Sequence, residues 1–333
     1  MFATAGGEVM SFGKQSGGNT ESLRHLVQPT SSPKAAKSSG GFDAAFIALA
    51  LGVVALSAGG AIAAPSVISW VQSDVFGSAK VRPIETVIAG LDRDGMKAAL
   101  AREAFPDNQG REFMASLSTK FPQEHDNLLG KLADAAAKGA DRNALMLSLS
   151  EWTMEFAPGK LAAIGRTGAD GFDKVLTIAG DALSLLESAG EGRCNLEALQ
   201  SLANNPASLA ELGAYGSAGY KLNMRASRML VDLSAAGADA PEPDTMLRPE
   251  DEQAVQSAFM SMMRDPQVMS LMQMSMTQAS SPGQGMQSNA AANLNICALG
   301  RTAIGKLKGL PSGTKSRLFG MALSQAMSLK PSS

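Results

Sequence analysis

An all-α body behind an N-terminal membrane-spanning helix is the fold class this sequence predicts, and three observations carry the prediction. Between Asp43 and Asp74 no charged residue occurs, and about 20 apolar residues suffice to cross a bilayer as a helix. From Val81 onward apolar residues recur at helical spacing. Strand-like runs of Val, Ile, Thr and Tyr are missing over the same stretch.

Residues 1–43 are rich in Gly, Ser, Thr, Lys and Pro, with Leu23, Leu26 and Val27 as a brief apolar cluster. That is too little to bury a core, so the segment reads as a disordered tail. Its Gly13-Lys14 pair lacks the glycine spacing of a phosphate loop, and Gln15 stands where a hydroxyl would bind magnesium. Residues 44–68 read as a transmembrane helix built on AAFIALALGVVALSAGGAIAA, with Trp70 where an interfacial aromatic belongs. Ala48/Gly52, Ala55/Gly59 and Gly59/Ala63 place small residues on helix faces, where another helix can approach.

The apolar run ends in Ala61-Ile62-Ala63, the small-x-small form of a signal-peptidase site, so cleavage after Ala63 is the competing expectation. A long leader and a long apolar stretch favour a retained anchor. Flanking cations give no orientation, Lys34 and Lys37 on one side balancing Lys80 and Arg82 on the other. The short basic tail and the cleavage-like end favour a cytoplasmic N-terminus and an exported body.

Residues 80–235 are expected to form a helical bundle. Leu128, Leu129, Leu132, Ala133 and Ala136 make one stripe within 122–138; Phe172, Val175, Leu176, Ala179, Ala182, Leu183 and Leu186 make another within 169–188. Segments near 83–104, 108–119, 141–156, 194–204 and 216–235 fit the same period. Phe105-Pro106, Phe121-Pro122 and Phe156-Ala157-Pro158 each set an aromatic just before a proline suited to a helix's first turn. Asp107 and Glu124 then lie at the positive helix end, and the aromatics are placed to staple the helix starts.

Residues 236–247 (AGADAPEPDTML) form an acidic, Pro-rich linker, and residues 248–333 a smaller Met-rich, basic helical module with segments near 250–264, 266–279, 289–308 and 313–330. No Asp or Glu follows Asp265, whereas Arg301, Lys306, Lys308, Lys315, Arg317 and Lys330 all do. This cationic tail is expected to lie either against acidic parts of the body or against anionic lipid or an acidic partner. Leu318, Phe319, Ala322, Leu323, Ala326 and Leu329 give its last helix an apolar side.

Cys194 and Cys297 are the only cysteines, one in each expected half. In an oxidising compartment they are expected to form a disulfide; in a reducing one, two small buried thiols. Of 19 methionines, eight fall between Met260 and Met286. On a helical wheel Val255, Phe259, Met262, Met269 and Met276 share one face and Met260, Met263, Leu271 and Met274 another. The first face suits a core; the second is either further packing or an adaptable apolar binding surface. Locally, MMRDPQVMSLM is similar to the Asp-Pro-centred short helical repeats of eukaryotic co-chaperones and ubiquitin-shuttle proteins, a resemblance that implies capture of hydrophobic peptides and extends no further along the chain. Met272-x-Met274-x-Met276 offers thioethers suited to Cu(I), but residues two apart diverge on a helix.

Several function classes are excluded. Twenty-nine basic against 31 acidic residues leave no field to hold nucleic acid. Two histidines and two cysteines are too few for an ordinary zinc site. His125, the body's lone histidine, has no marked nucleophile nearby and reads as a solvated helix-start residue. Glu151 and Glu155 share a helix face around Trp152, where carboxylates are ordinarily hydrated. Gly300 to Lys306 matches phosphate-loop spacing, but Leu307 follows and no later carboxylate can hold the metal, so nucleotide binding is rejected. The sequence therefore predicts a non-enzymatic, single-pass interaction protein without cofactor or metal. It would dock another envelope or membrane protein through Met260, Met263, Leu271 and Met274 together with the basic tail. The alternative is a Cu(I)- or hydrophobic-peptide-binding protein of the envelope.

Overall fold

The computed structural model describes residues 82–189, 194–195, 213–266, 268–269 and 295–328. The expected tail at 1–43 and membrane span at 44–68 lie outside them. Helix makes up 79% of what is described, with no strand among those residues, so the body is all-α as expected. Among the described residues no helix is long and apolar enough to cross a membrane.

Eleven α-helices are described: α1 Ile84–Ile88, α2 Arg93–Glu103, α3 Asn108–Lys120, α4 Pro122–Ala137, α5 Arg142–Phe156, α6 Leu161–Arg166, α7 Gly168–Ser188, α8 Ala218–Ala236, α9 Pro249–Met262, α10 Ile296–Lys308 and α11 Ser312–Ser328. A 3₁₀ turn, Ala157–Lys160, joins α5 to α6. The segment expected as one helix over 83–104 is two, because Gly90 adopts φ 73° and Asp92 then caps α2 through the Gly95 N–H at 2.8 Å. Of the expected helix over 194–204, all but residues 194 and 195 lie outside the described residues.

Starts and stops follow from local chemistry. Side-chain oxygens of Asp107, Asp141, Ser217 and Asn295 accept backbone N–H groups in the first turns of α3, α5, α8 and α10, meeting donors that a helix leaves unpaired. Pro122 and Pro249 open α4 and α9, where a missing N–H costs nothing. At the end of α4 the chain reverses at Gly139, φ 86°, with Ala140 N–H reaching the Ala135 carbonyl at 3.1 Å. Glycine suits that left-handed position because it carries no Cβ.

Two apolar cores result. The first gathers Ile84, Leu100, Phe105, Phe113, Leu117, Leu128, Leu132, Leu145, Leu149 and Trp152 from α1 to α5 with Tyr220, Met224 and Val231 of α8. The second gathers Ile164, Phe172, Leu176 and Leu183 of α6 and α7 with Val255, Met262, Ile304, Leu307, Leu318 and Phe319 of α9 to α11. Helix α8 serves both, since Leu233 belongs to the second core and Leu230 packs against each. Thus α6 and α7, from the expected 80–235 bundle, pack with helices of the expected 248–333 module. Of the aromatics before proline, Phe105 and Phe156 are buried in the first core, and Phe121 meets Phe156 edge-on with ring centroids 5.4 Å apart.

The acidic segment 236–247 lies along the body. Arg166 donates to the Ala238 carbonyl at 3.1 Å, and Gly237 touches the Ala163 carbonyl. At Gly320 of α11 an added Cβ would fall 2.9 Å from Pro243 and 3.0 Å from Thr245. Glycine there lets the segment close onto α11.

Candidate interaction surface

Helix α9 presents two unlike sides. Val255 and Met262 are buried in the second core and Phe259 packs partly against it. Met260 is 57% exposed, and Met263, at the helix C-cap, is half-buried. Leu271, Met274 and the Met272-x-Met274-x-Met276 triplet lie outside the described residues. Met269, expected on the core face, is 45% exposed instead. The reason is local: α9 stops at Met262, and the chain turns through Arg264 and Asp265 before the next helical residues. One wheel therefore cannot be carried across both segments.

Cys194 and Cys297 come together at disulfide distance, with Cα atoms 5.3 Å apart, and both are buried in the second core. The Ile296 N–H also donates to the Cys194 carbonyl at 2.7 Å. Residues 103 positions apart in sequence are thereby joined at the start of α10.

Of the two dockings expected for the basic tail, the structure displays the internal one. Arg301 pairs with Glu187 through both guanidinium nitrogens, and Lys308 donates to Thr177 at 2.8 Å, both on α7. Lys315 pairs with Asp173, again on α7, at 2.6 Å. Arg317 grips Asp251 of α9 by two hydrogen bonds of 2.6 and 2.7 Å. Lys306 is exposed, and Lys330 lies outside the described residues. Four of the six tail cations are thus spent inside the body.

Asp251 was not legible as special within its acidic run Glu250-Asp251-Glu252. It is fully buried and accepts from Arg317, from the Thr314 hydroxyl at 2.6 Å and from the Arg248 N–H at 2.9 Å. The Arg317 guanidinium, followed by Thr314, holds its carboxyl well below the usual carboxylate range. A second polar knot joins α3 to α8. The buried Tyr220 hydroxyl donates to Asp107, the residue that caps α3, while its ring lies 4.9 Å from that of Tyr215. Arg142 sits over the Tyr215 ring at 5.6 Å and donates to the Glu103 carbonyl at 2.9 Å and the Arg82 carbonyl at 2.5 Å. Burial, reinforced by the Asp107 hydrogen bond, pushes the Tyr220 phenol far above its ordinary value.

The residues weighed for chemistry are scattered. His125 is half-buried on α4; burial pulls its imidazole below the ordinary value, against the opposing pull of Asp126. Glu151 is exposed, and Glu155 pairs with Lys131 at 2.9 Å. The Gly300 to Lys306 stretch is helical within α10, with Gly300 pressed against Leu183 of α7, so it forms no loop around a phosphate. Among the described residues no three His, Cys, Asp or Glu side chains cluster as a metal site. One shallow cleft of about 220 Å³ opens beside α4 and α5, lined by Glu124, Asn127, Trp152, Glu155, Phe156, Gly159 and Lys160.

Comparison with family models, curated proteins and solved structures returned no match.

Proposed function

We propose that this chain is a non-enzymatic, membrane-tethered binding protein whose exported helical body docks an apolar helix of another envelope protein. Residues 44–68 would hold it to the bilayer, and the docking side would be that of Met260 and Met263, with Leu271 and Met274 of the segment that follows joining the contact. The observation that carries the reading is Met260, 57% exposed on a helix whose opposite side is in the core. Methionine suits such a surface because its unbranched thioether re-packs around different apolar partners. Export is supported by the Cys194–Cys297 pair, since disulfides persist in oxidising compartments. The pairing of Arg301, Lys308, Lys315 and Arg317 within the body moves the proposed contact away from the basic residues and onto the methionines.

A photo-crosslinking residue placed at Met260 in intact membranes tests this. A discrete adduct with a membrane protein is expected from position 260, absent when the same probe replaces Lys306, an exposed residue of α10. Equal adducts from both positions, or none from either, would overturn the docking surface.

A further inference from the structure

One end of the helices around the first core is basic, and it is the end at which the chain enters the body. Arg142, in the first turn of α5, donates to the Glu103 carbonyl at the end of α2 and to the carbonyl of Arg82, where the described residues begin. The Tyr215 N–H, just before α8, donates to the Asn143 side chain at 2.9 Å, and the Tyr220 hydroxyl donates to Asp107, the cap of α3. Helix α4 also closes here, since only the turn at Gly139 separates it from α5. Arg102, Arg111, Lys138 and Lys221 stand on these helix ends, all exposed. Among the described residues none of the four meets a carboxylate; Arg111 bonds only neutral oxygens, the Pro106 carbonyl and the Asn108 side chain. With Arg82 and Arg142, six cations gather against four carboxylates, Glu85, Glu103, Asp107 and Asp141. Of these, Glu103 pairs with Arg82, while Asp107 and Asp141 turn to helix N–H groups. The far ends of α4 and α5 carry no such excess: Glu124, Asp126, Glu151 and Glu155 stand there with Lys160, and Lys97 and Lys131 reach two of them.

We propose that this basic end rests on the anionic phospholipid headgroups of the leaflet from which the chain emerges. The inference rests on the membrane-tether reading of residues 44–68 and is independent of the Met260 surface. Residues 69–81 separate that span from Arg82, and a chain rising at most about 3.6 Å per residue lets them reach no further than about 45 Å. The basic end is therefore the part of the body tethered nearest the bilayer, at the high effective concentration that a short connection gives. Arg102 and Arg111 offer paired N–H donors to phosphate oxygens, and Lys138 and Lys221 act as point charges. Phosphatidylcholine, whose phosphate carries its own ammonium, gives such a surface no net field to follow; an anionic leaflet does.

Full-length protein in nanodiscs tests this, with a fluorescent amino acid at Ala218, exposed in the first turn of α8, and an energy-acceptor lipid in the bilayer. Transfer is expected to be stronger in equal parts phosphatidylcholine and phosphatidylglycerol than in phosphatidylcholine alone. It is expected to fall to the phosphatidylcholine level in about 1 M salt, where screening acts within about 3 Å. The same probe at Gln123, exposed at the far end of α4, is expected to show no dependence on lipid charge. The combined variant Arg102→Gln, Lys138→Gln and Lys221→Gln, with helical circular dichroism retained, is expected to remove the difference between the two bilayers. Equal transfer from Ala218 in both bilayers, or the same increase from Gln123, would overturn the proposal. Protein recovered outside the nanodiscs would instead overturn the span, and sedimentation with vesicles of the mixed composition then decides the basic end. There the wild type is expected to bind about a hundredfold more tightly than the combined variant, about fivefold for each cation; equal binding would refute the inference.

Discussion

Arg317 of α11 encloses the Asp251 carboxylate of α9 from 66 positions along the chain, leaving the acid fully buried and the Arg317 side chain 12% exposed. Bidentate geometry fixes the angle between two helices as well as neutralising a buried charge.

Because the Asp251 carboxyl is held below its ordinary value, the ionised form stabilises the fold. That contribution is complete above the unfolded-state value, near pH 4, and is lost as pH falls from there toward the lowered folded value. Urea unfolding between pH 2 and pH 6 is expected to show midpoints falling with acidification, and Asp251→Asn is expected to flatten the dependence. At pH 7 Asp251→Ala is expected to cost more than Asp244→Ala, since only the first leaves a largely buried Arg317 without its carboxylate partner.

Both tyrosines of the chain, Tyr215 and Tyr220, are shifted upward, Tyr220 by burial and its Asp107 hydrogen bond and Tyr215 chiefly by burial. A raised phenol favours the protonated form in the folded state, so its stabilisation is present below about pH 10 and is lost as pH rises further. Phenolate absorbance at 295 nm is therefore expected to show no ordinary tyrosine step near pH 10, and to rise only above it or with unfolding. Tyr220→Phe removes the donor but leaves Asp107 its cap contacts, and is expected to cost about 1–2 kcal/mol in denaturant titration.

Joining residues 103 positions apart restricts the unfolded chain. On the chain-entropy account, replacing Cys194 and Cys297 by serine is expected to cost about 4–5 kcal/mol. Urea midpoints of the variant and of the oxidised wild type measure this directly. Equal midpoints would mean that the pair does not constrain the unfolded chain.

Two glycines are expected to respond with opposite sign to the same substitution. Gly305 faces open space within α10, so Gly305→Ala is expected to raise stability by about 1 kcal/mol through helix propensity. At Gly237 a methyl would strike the Ala163 carbonyl, a backbone atom with no rotamer to yield. Gly237→Ala is therefore expected to destabilise by about 1–3 kcal/mol. Thermal midpoints separate the two.

Local chemistry made the helices readable, whereas the sites depended on what distant segments bring. Pro122, Asp107 and the stripe Leu128, Leu129, Leu132, Ala133 and Ala136 declare their roles within a few residues, and all five stripe positions are buried. The split of the body into cores was not readable, because it turns on which neighbours α6, α7 and α8 choose. Asp251 reads as part of a solvated acidic run until Arg317 arrives. Trp152 reads as an aromatic between two hydrated carboxylates; only packing reveals an indole N–H without an acceptor beside a cation held on Phe121 and Phe156.

Helix α8 places Tyr220, Met224 and Val231 in one core and Leu233 in the other. In evolutionary terms the body is consequently not a pair of exchangeable parts. A recombination break that removed either group of helices would strip one flank of α8 and expose apolar side chains along its length.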